Sequence, residues 1–565
     1  MIRSVLLFAV LLSSSLAPST VFASAAAHPV LPEQGAIASA NKLATAAGIE
    51  ILKAGGNAFD AAIAVSAVLS VVEPESSGLG GGAFVLLGRA DGSYVFVDAR
   101  ETAPSAASRD MYLDKSGEPV RELAVNGAKA AAIPGLAAAW VHVAKSYGRL
   151  PLARVLKPAI QFAGKGFPWG AKNSAMQGFR VETLRRFPAS AKQFLVNGEP
   201  RQIGSVLRQP DLAKTLKLIA DKGHSAFYRG AFAARLVAGV RAEGGLWSEQ
   251  DLANYKVVER PALQFAYRNW QVITAPPPSS GGVALAEMFN ILSAYQLDSM
   301  PRVAKLHLTF EAMRRAYRDR AIYLGDPDFV KVPLDLLLSS HYAAGLRASI
   351  NPDVATPSAA LAGISAQSKG TDTTHFSIVD REGNLVAWTQ TVNLPFGSGL
   401  VIPGTGFLLN NEMDDFSVKP GVPNAFGLVG DDANAIAPGK RPLSSMTPTF
   451  LLGGDRVAVL GTPGGSRIIT MVFNALLGLM DGADASSVTA APRLHHQYLP
   501  DVISAEPNAL NAEEVSALTA RGFVISADER TWGNMQLVVW DKRTGRTTAS
   551  SDPRWEKVGG AGVYR

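Results

Sequence analysis

The chain is 565 residues long, 47% hydrophobic and 18% charged, with a formal net charge of +6 and no cysteine. A chain of that length can bury a large core, while the missing thiols exclude a disulfide framework, a thiol nucleophile and a thiolate-held structural zinc. The positive charge is spread without a Lys/Arg cluster or interleaved aromatics, which argues against nucleic acid as a partner.

Residues 1–25 carry the three parts of an export signal: Arg3, the apolar run Val5 to Leu12, and small residues at Val21-Phe-Ala23-Ser-Ala25. Cleavage is expected after Ala23 or Ala25, giving an exported protein, periplasmic or secreted. No later run reaches the ~18 apolar residues of a spanning helix, since Ala61 to Val72 is too short and follows Asp60, so no membrane span is expected.

Asn41 to Ala54 reads as a helix stopped by Gly55-Gly56. Asn57 then caps a second helix, Ala58 to Val72, with Asp60 in its first turn and apolar residues on nearly every side, as in a helix between layers. After Pro74, the run Ser76-Ser-Gly-Leu-Gly80-Gly-Gly82 leads into alternating strands at Ala83 to Gly88 and Tyr94 to Asp98. It is not a phosphate loop, because no Lys-Ser/Thr follows and the next element is a strand.

Pro134 to Ser349 reads as mostly helical, with an amphipathic stretch at Leu306 to Leu324 and a helix at Val283 to Ala294 after a stiff Pro276 to Gly282 turn. Asn351 to Gly370 has the Ala, Ser, Gly, Pro and Asp content of an exposed, mobile loop. The chain then turns strongly β: Thr374 to Asp380 and Leu385 to Thr391 alternate on either side of an Arg381 to Asn384 turn, a hairpin. In it Thr373 and Thr391 fall nearly opposite each other, and Asn393 follows on the face of Thr391. Alone this is weak evidence of a site, because threonine is common in strands.

Several blocks carry a resemblance. Asp372-Thr373-Thr374-His375-Phe376-Ser377, Leu409-Asn-Asn411-Glu-Met-Asp-Asp415-Phe, Arg441-Pro-Leu-Ser444-Ser445-Met and Gly461-Thr-Pro-Gly464-Gly465-Ser-Arg467 resemble the signature blocks of the γ-glutamyltransferase family. Gly55-Gly-Asn-Ala58, Glu73 to Gly78, Asp98 to Pro104, Tyr323 to Asp328 and Ser551 to Arg554 are similar to its other blocks, in order from about residue 34 to the end.

The resemblance implies an α/β fold of the N-terminal-nucleophile hydrolase type, a four-layer αββα sandwich. It implies a precursor that cleaves itself between Asp372 and Thr373 into a large subunit, residues 26–372, and a small subunit, 373–565, intertwined with it. Thr373 would then supply both a nucleophilic hydroxyl and a basic α-amine, whose reference pKa near 7.7 to 8.0 suits that task. By the same resemblance Thr391 orients the Thr373 hydroxyl, and the backbone N–H groups of Gly464 and Gly465 form an oxyanion hole.

The substrate would be a γ-glutamyl compound such as glutathione, with water, amino acids or dipeptides as acceptors, and no cofactor or metal. Its α-carboxylate is carried over to Arg100, Ser444 and Ser445, and its α-ammonium to Asn393, Glu412 and Asp415. The residues themselves leave blander readings open: a surface ion pair for Arg100, a solvated pair for Asp414-Asp415, a plain tight turn for Gly461 to Ser466. Lys419 to Asn434 resembles the family's lid loop, with Phe426 where many bacterial members have tyrosine. His495-His496 reads as structural, since neighbours on a strand face opposite ways.

Two other functions compete. The related β-lactam side-chain acylases share the expected fold but take a glutaryl or aminoadipyl amide, and glutaryl has no ammonium for Glu412 and Asp415. An inert binding protein for γ-glutamyl peptides would leave the chain uncut.

Overall fold

The structure, a computed structural model, describes residues 30–361, 373–555 and 558–565. The expected export signal and Asp372 lie outside them. The expected sandwich is present. One antiparallel sheet has seven strands in the order Gly560–Tyr564, Gly35–Ser39, Thr374–Val379, Leu385–Thr391, Gly82–Gly88, Tyr94–Ala99 and Val258–Arg260. The other has six, Thr547–Ser551, Gln536–Asp541, Arg456–Gly461, Thr449–Gly453, Trp270–Thr274 and Leu263–Tyr267.

Period-2 alternation sorts the side chains of the first sheet between two cores. Ala83, Val85, Leu87, Phe376 and Trp388 face helices Lys42–Lys53 and Ala58–Val72 in one apolar cluster. Phe84, Leu86 and Phe96 face the second sheet, meeting Val457, Val459 and Leu537 in the other. Helices Gly281–Leu292, Arg302–Tyr323 and Ile468–Met480 cover that sheet's outer side. Each sheet takes strands from both sides of the 372/373 bond, so two products of a cut there would remain interleaved.

Helix Ala58–Val72 has every residue buried, and Asn57 and Asp60 form a reciprocal capping box at its start. The glycine run after it permits close backbone approach. A Cβ at Gly81 would sit 1.9 Å from the carbonyl oxygen of Thr391, and one at Gly80 would sit 2.0 Å from that of Leu408.

The middle of the chain is mostly helical, as expected, with strands beside the helices: Val258–Arg260 at the edge of the first sheet, and Leu263–Tyr267 with its neighbour Trp270–Thr274 at the edge of the second. Their signal is weak because Val258–Arg260 lies at a sheet edge and is partly exposed. The amphipathic stretch lies in helix Arg302–Tyr323, which buries Glu311, Arg314, Arg315 and Asp319 along with its apolar residues. Internal pairing explains this, as Arg315 contacts Glu311 and Arg314 contacts Asp501.

The described part of the Asn351 to Gly370 loop is also held in place. Ser358 is 1% exposed, its N–H donates to Asp501 Oδ2 at 2.6 Å, and its hydroxyl accepts from Arg314 at 2.7 Å. Among the described residues no helix is long and apolar enough to cross a membrane.

Candidate active site

Strands Thr374–Val379 and Leu385–Thr391 pair with Gln390 opposite Thr374, so Thr391 and Thr373 face each other at the open end of the hairpin. Their hydroxyl oxygens are 3.4 Å apart. Thr391 Oγ1 also accepts the backbone N–H of Asn393 at 2.8 Å. Asn393 has φ +77°, which turns the chain out of the strand and sends its amide to Asn411 O at 2.9 Å.

Thr373, Thr391 and Asn393 line one cavity of about 280 Å³, counting its open mouth, together with Arg100, Glu412, Asp415, Ser444, Ser445 and Gly465. The structure therefore brings together residues spread over 366 positions of sequence. Gly464, next along the turn, has φ +145° and Gly465 has φ +56°, backbone shapes that a side chain resists. Gly465 also has no room for a Cβ, which would lie 2.3 Å from the Phe426 ring.

Arg100 follows strand Tyr94–Ala99 and is 1% exposed, not a surface ion pair. Asp98 Oδ1 accepts its backbone N–H at 3.0 Å, and its Nε donates to Pro442 O at 3.1 Å. Its guanidinium contacts Glu412 and Asp415, with Glu101 3.5 Å away. The residues assigned to opposite ends of the substrate thus pair with each other. Three carboxyl groups surround one cation, and burial pushes the Glu412 and Asp415 carboxyls upward against the pull of Arg100.

Among the described residues that line the cavity, two buried side-chain atoms have no partner: Glu412 Oε2, an acceptor, and Ser445 Oγ, a donor. Leaving such groups buried and unpaired costs about 1–3 kcal/mol each, which a ligand with one cationic and one anionic end would recover. Ser444 Oγ accepts from Met446 N at 3.1 Å, which leaves its O–H to donate.

The segment from Lys419 to Asn434 is tied down by two neighbouring aspartates, Asp414, which is buried, and Asp415, which is 12% exposed, so they are not a solvated pair. Asp414 Oδ2 accepts from Ala425 N at 2.9 Å, and Asp415 Oδ1 from Asn424 Nδ2 at 3.1 Å. Phe426, 6% exposed, rests on Gly465 at the cavity wall. The sequence reading missed the cavity's apolar wall, Leu428, Met446 and Ile468, and the clamp by Asp414. No short-range signal marks them.

Burial pushes the Asp414 carboxyl up to about 7. Its folded pKa lies above its unfolded one, so wild-type stability contributed by this group is greatest below about 4 and falls as pH rises toward 7. Asp414→Asn is expected to gain in Tm relative to wild type between pH 4 and 7 and to hold a constant offset above. A Tm difference that is flat across that range would show that Asp414 does not titrate in this window.

His495 and His496 have separate partners, Thr470 and Gln497 for the first and Asp501 for the second. Among the described residues no group of three or more potential ligands could hold a metal ion.

The model of the family described as gamma-glutamyltranspeptidase matches residues 44–562. The chain belongs to this family. It is 42% identical over 554 residues to the glutathione hydrolase proenzyme of Pseudomonas aeruginosa, covering 96% of this chain and 98% of that protein. Similarity to the glutathione hydrolase proenzyme of Escherichia coli K12 is 41% over 533 residues, covering 93% and 91%. Among solved structures, the cephalosporin acylase of Bacillus halodurans superposes with a TM-score of 0.83 at 29% identity, covering 97% of this chain and 99% of that one. Family membership and the fold agree with the resemblance drawn from the sequence blocks.

Proposed function

We propose that this protein cleaves the γ-glutamyl amide bond of glutathione and related compounds and passes the γ-glutamyl group to water, amino acids or peptides. The observation that carries this reading is the pairing of Arg100 with Glu412 and Asp415 beside the unpaired Glu412 Oε2 and Ser445 Oγ. A γ-glutamyl α-carboxylate can take Arg100, Ser444 and Ser445, while its α-ammonium takes Glu412, Asp415 and the Asn393 side-chain carbonyl. Arginine suits the first partner because its planar fork binds a carboxylate with two parallel hydrogen bonds.

In this reading the precursor, exported on residues 1–25, cleaves between Asp372 and Thr373 into a 26–372 large subunit and a 373–565 small subunit. Thr373 Oγ1 first attacks the Asp372 carbonyl, the C–N bond breaks to free the Thr373 α-amine as an ester forms on Oγ1, and water then opens that ester to release the Asp372 carboxyl and the Thr373 hydroxyl. In turnover that amine accepts the hydroxyl proton as Oγ1 bonds to the γ-carbonyl carbon, and Thr391 orients Oγ1. Negative charge on the former carbonyl oxygen is taken by the N–H groups of Gly464 and Gly465. The proton passes to the departing amine, leaving a γ-glutamyl ester on Thr373 for water or an acceptor amine to attack.

The test combines mass spectrometry of the purified protein with release of aniline from a γ-glutamyl anilide. An intact chain that binds the anilide without turnover would favour the binding-protein reading. Because a cephalosporin acylase shares the fold, glutaryl amides are the necessary control substrate. Phe426→Tyr bears on acceptor choice. Its added hydroxyl at the cavity wall is expected to favour the closed lid by about 0.5–1.5 kcal/mol and to lower hydrolysis relative to transfer about threefold to tenfold. The ratio of the two products at fixed acceptor concentration reports it, and an unchanged ratio assigns Phe426 to packing alone.

A further inference from the structure

On the face of the nucleophile strand turned away from the cavity lies a buried ion pair that the reaction above does not use. Successive side chains of a strand alternate, so Thr374 projects opposite to Thr373. Thr374 Oγ1 donates to Glu73 Oε2 at 2.9 Å. The other oxygen of that carboxylate, Oε1, accepts from Lys172 Nζ at 3.0 Å. Glu73 is 1% exposed and Lys172 3%. Glu73 is the C-cap of helix Ala58–Val72, and Lys172 lies in the first turn of helix Ala171–Gly178.

Burying an ammonium and a carboxylate is costly, and apolar groups of similar volume in their place are often neutral or stabilising. Joining the two helices does not require the pair. The neighbouring Asn173 already does so, donating to Val72 O at 3.0 Å and to Glu75 Oε2 at 2.8 Å. What distinguishes the pair is its place, one hydrogen bond from the residue next to Thr373, whose Cα is about 3.8 Å from that of Thr374.

We propose that Glu73 and Lys172 are positioning residues which, through Thr374, orient the first residue of the small subunit and set the proton affinity of the Thr373 α-amine. The inference rests on the reading of Thr373 as nucleophile and base. The carboxylate, nearer the strand, strengthens the amine's hold on a proton, and the ammonium behind it weakens that hold. The other charged groups around Thr373 are Glu75 on the same side, Arg100, Glu412 and Asp415 across the cavity, and Asp414 beyond Asn393.

The acid limb of kcat/KM for a γ-glutamyl anilide reports the amine of the free mature enzyme. Glu73→Gln removes the anion and is expected to move that limb to lower pH; Lys172→Met removes the cation and is expected to move it to higher pH. The Glu73→Gln shift should be about one pH unit, and the Lys172→Met shift smaller, because the ammonium lies behind the carboxylate. The double variant should return the limb toward the wild-type position. A merely structural role would give no shift, or shifts of one sign, and either result overturns the proposal.

If a charge variant stays uncleaved, Thr374→Ser and Thr374→Val probe the same link with the pair intact. Valine is expected to lower kcat about tenfold at unchanged KM and serine to preserve it. Equal kcat values would overturn the proposal as well. Failure of wild-type enzyme to hydrolyse the anilide would refute the functional reading itself, whereas an active wild type with unmoved limbs refutes only the positioning role.

Discussion

Thr373→Ala is expected to remain a single uncut chain with no turnover of γ-glutamyl substrates. One oxygen is assigned both tasks, attack on the Asp372 carbonyl and attack on the substrate, so its removal stops maturation and catalysis together. The loss should reach at least about 10⁴-fold, since a nucleophile acts as a unit with its base and its removal leaves only binding and oxyanion stabilisation. Folding should survive, because the small change is made at a cavity wall and both sheets keep their strands. A denaturing gel and anilide hydrolysis check both halves. Continued cleavage at 372/373 in this variant would refute self-cleavage through Thr373.

Asp415→Asn is expected to separate substrates that differ only in their ammonium. Wild-type Asp415 contacts the Arg100 guanidinium and holds Asn424 of the lid at 3.1 Å. Asparagine can keep one link to the lid but carries no charge. For γ-glutamyl donors, losing one member of a buried charge pair costs about 2–5 kcal/mol, a rise of roughly 30-fold to several thousand-fold in KM. Glutaryl donors bring a carboxylate and no ammonium, and the variant cavity is one charge less negative toward them. Their KM is expected to stay level or fall. Parallel rises for both donors would assign Asp415 to holding Arg100 and the lid, not the substrate.

Much of the site was legible in the sequence because it comes as short blocks around functional residues. The hairpin from Thr374 to Thr391 follows from alternation and the Arg381 to Asn384 turn, and its register puts Thr373 opposite Thr391. Helix Ala58–Val72 was legible to the residue, since Asn57, Asp60 and Pro74 mark its ends. Strand Val258–Arg260 was not, because a three-residue edge strand carries too little pattern to separate it from a loop. Ser358 was read as part of a loose loop because its anchors, Arg314 and Asp501, are 44 and 143 residues away.

The sequence by itself named the candidate residues, because the blocks that resemble the family's are local: a threonine at a strand start, glycines in a turn, an arginine and two carboxylates in separate blocks. Tertiary structure alone decided how they meet. Arg100 pairs with Glu412, 312 residues away, Glu412 Oε2 and Ser445 Oγ face one cavity unpaired, and Glu73 and Lys172 close on Thr374 from behind. Such facts depend on the packing of two sheets and their helices. A charged group's partner in a buried site is set by what the fold places within about 4 Å, and no spacing along the chain encodes that distance.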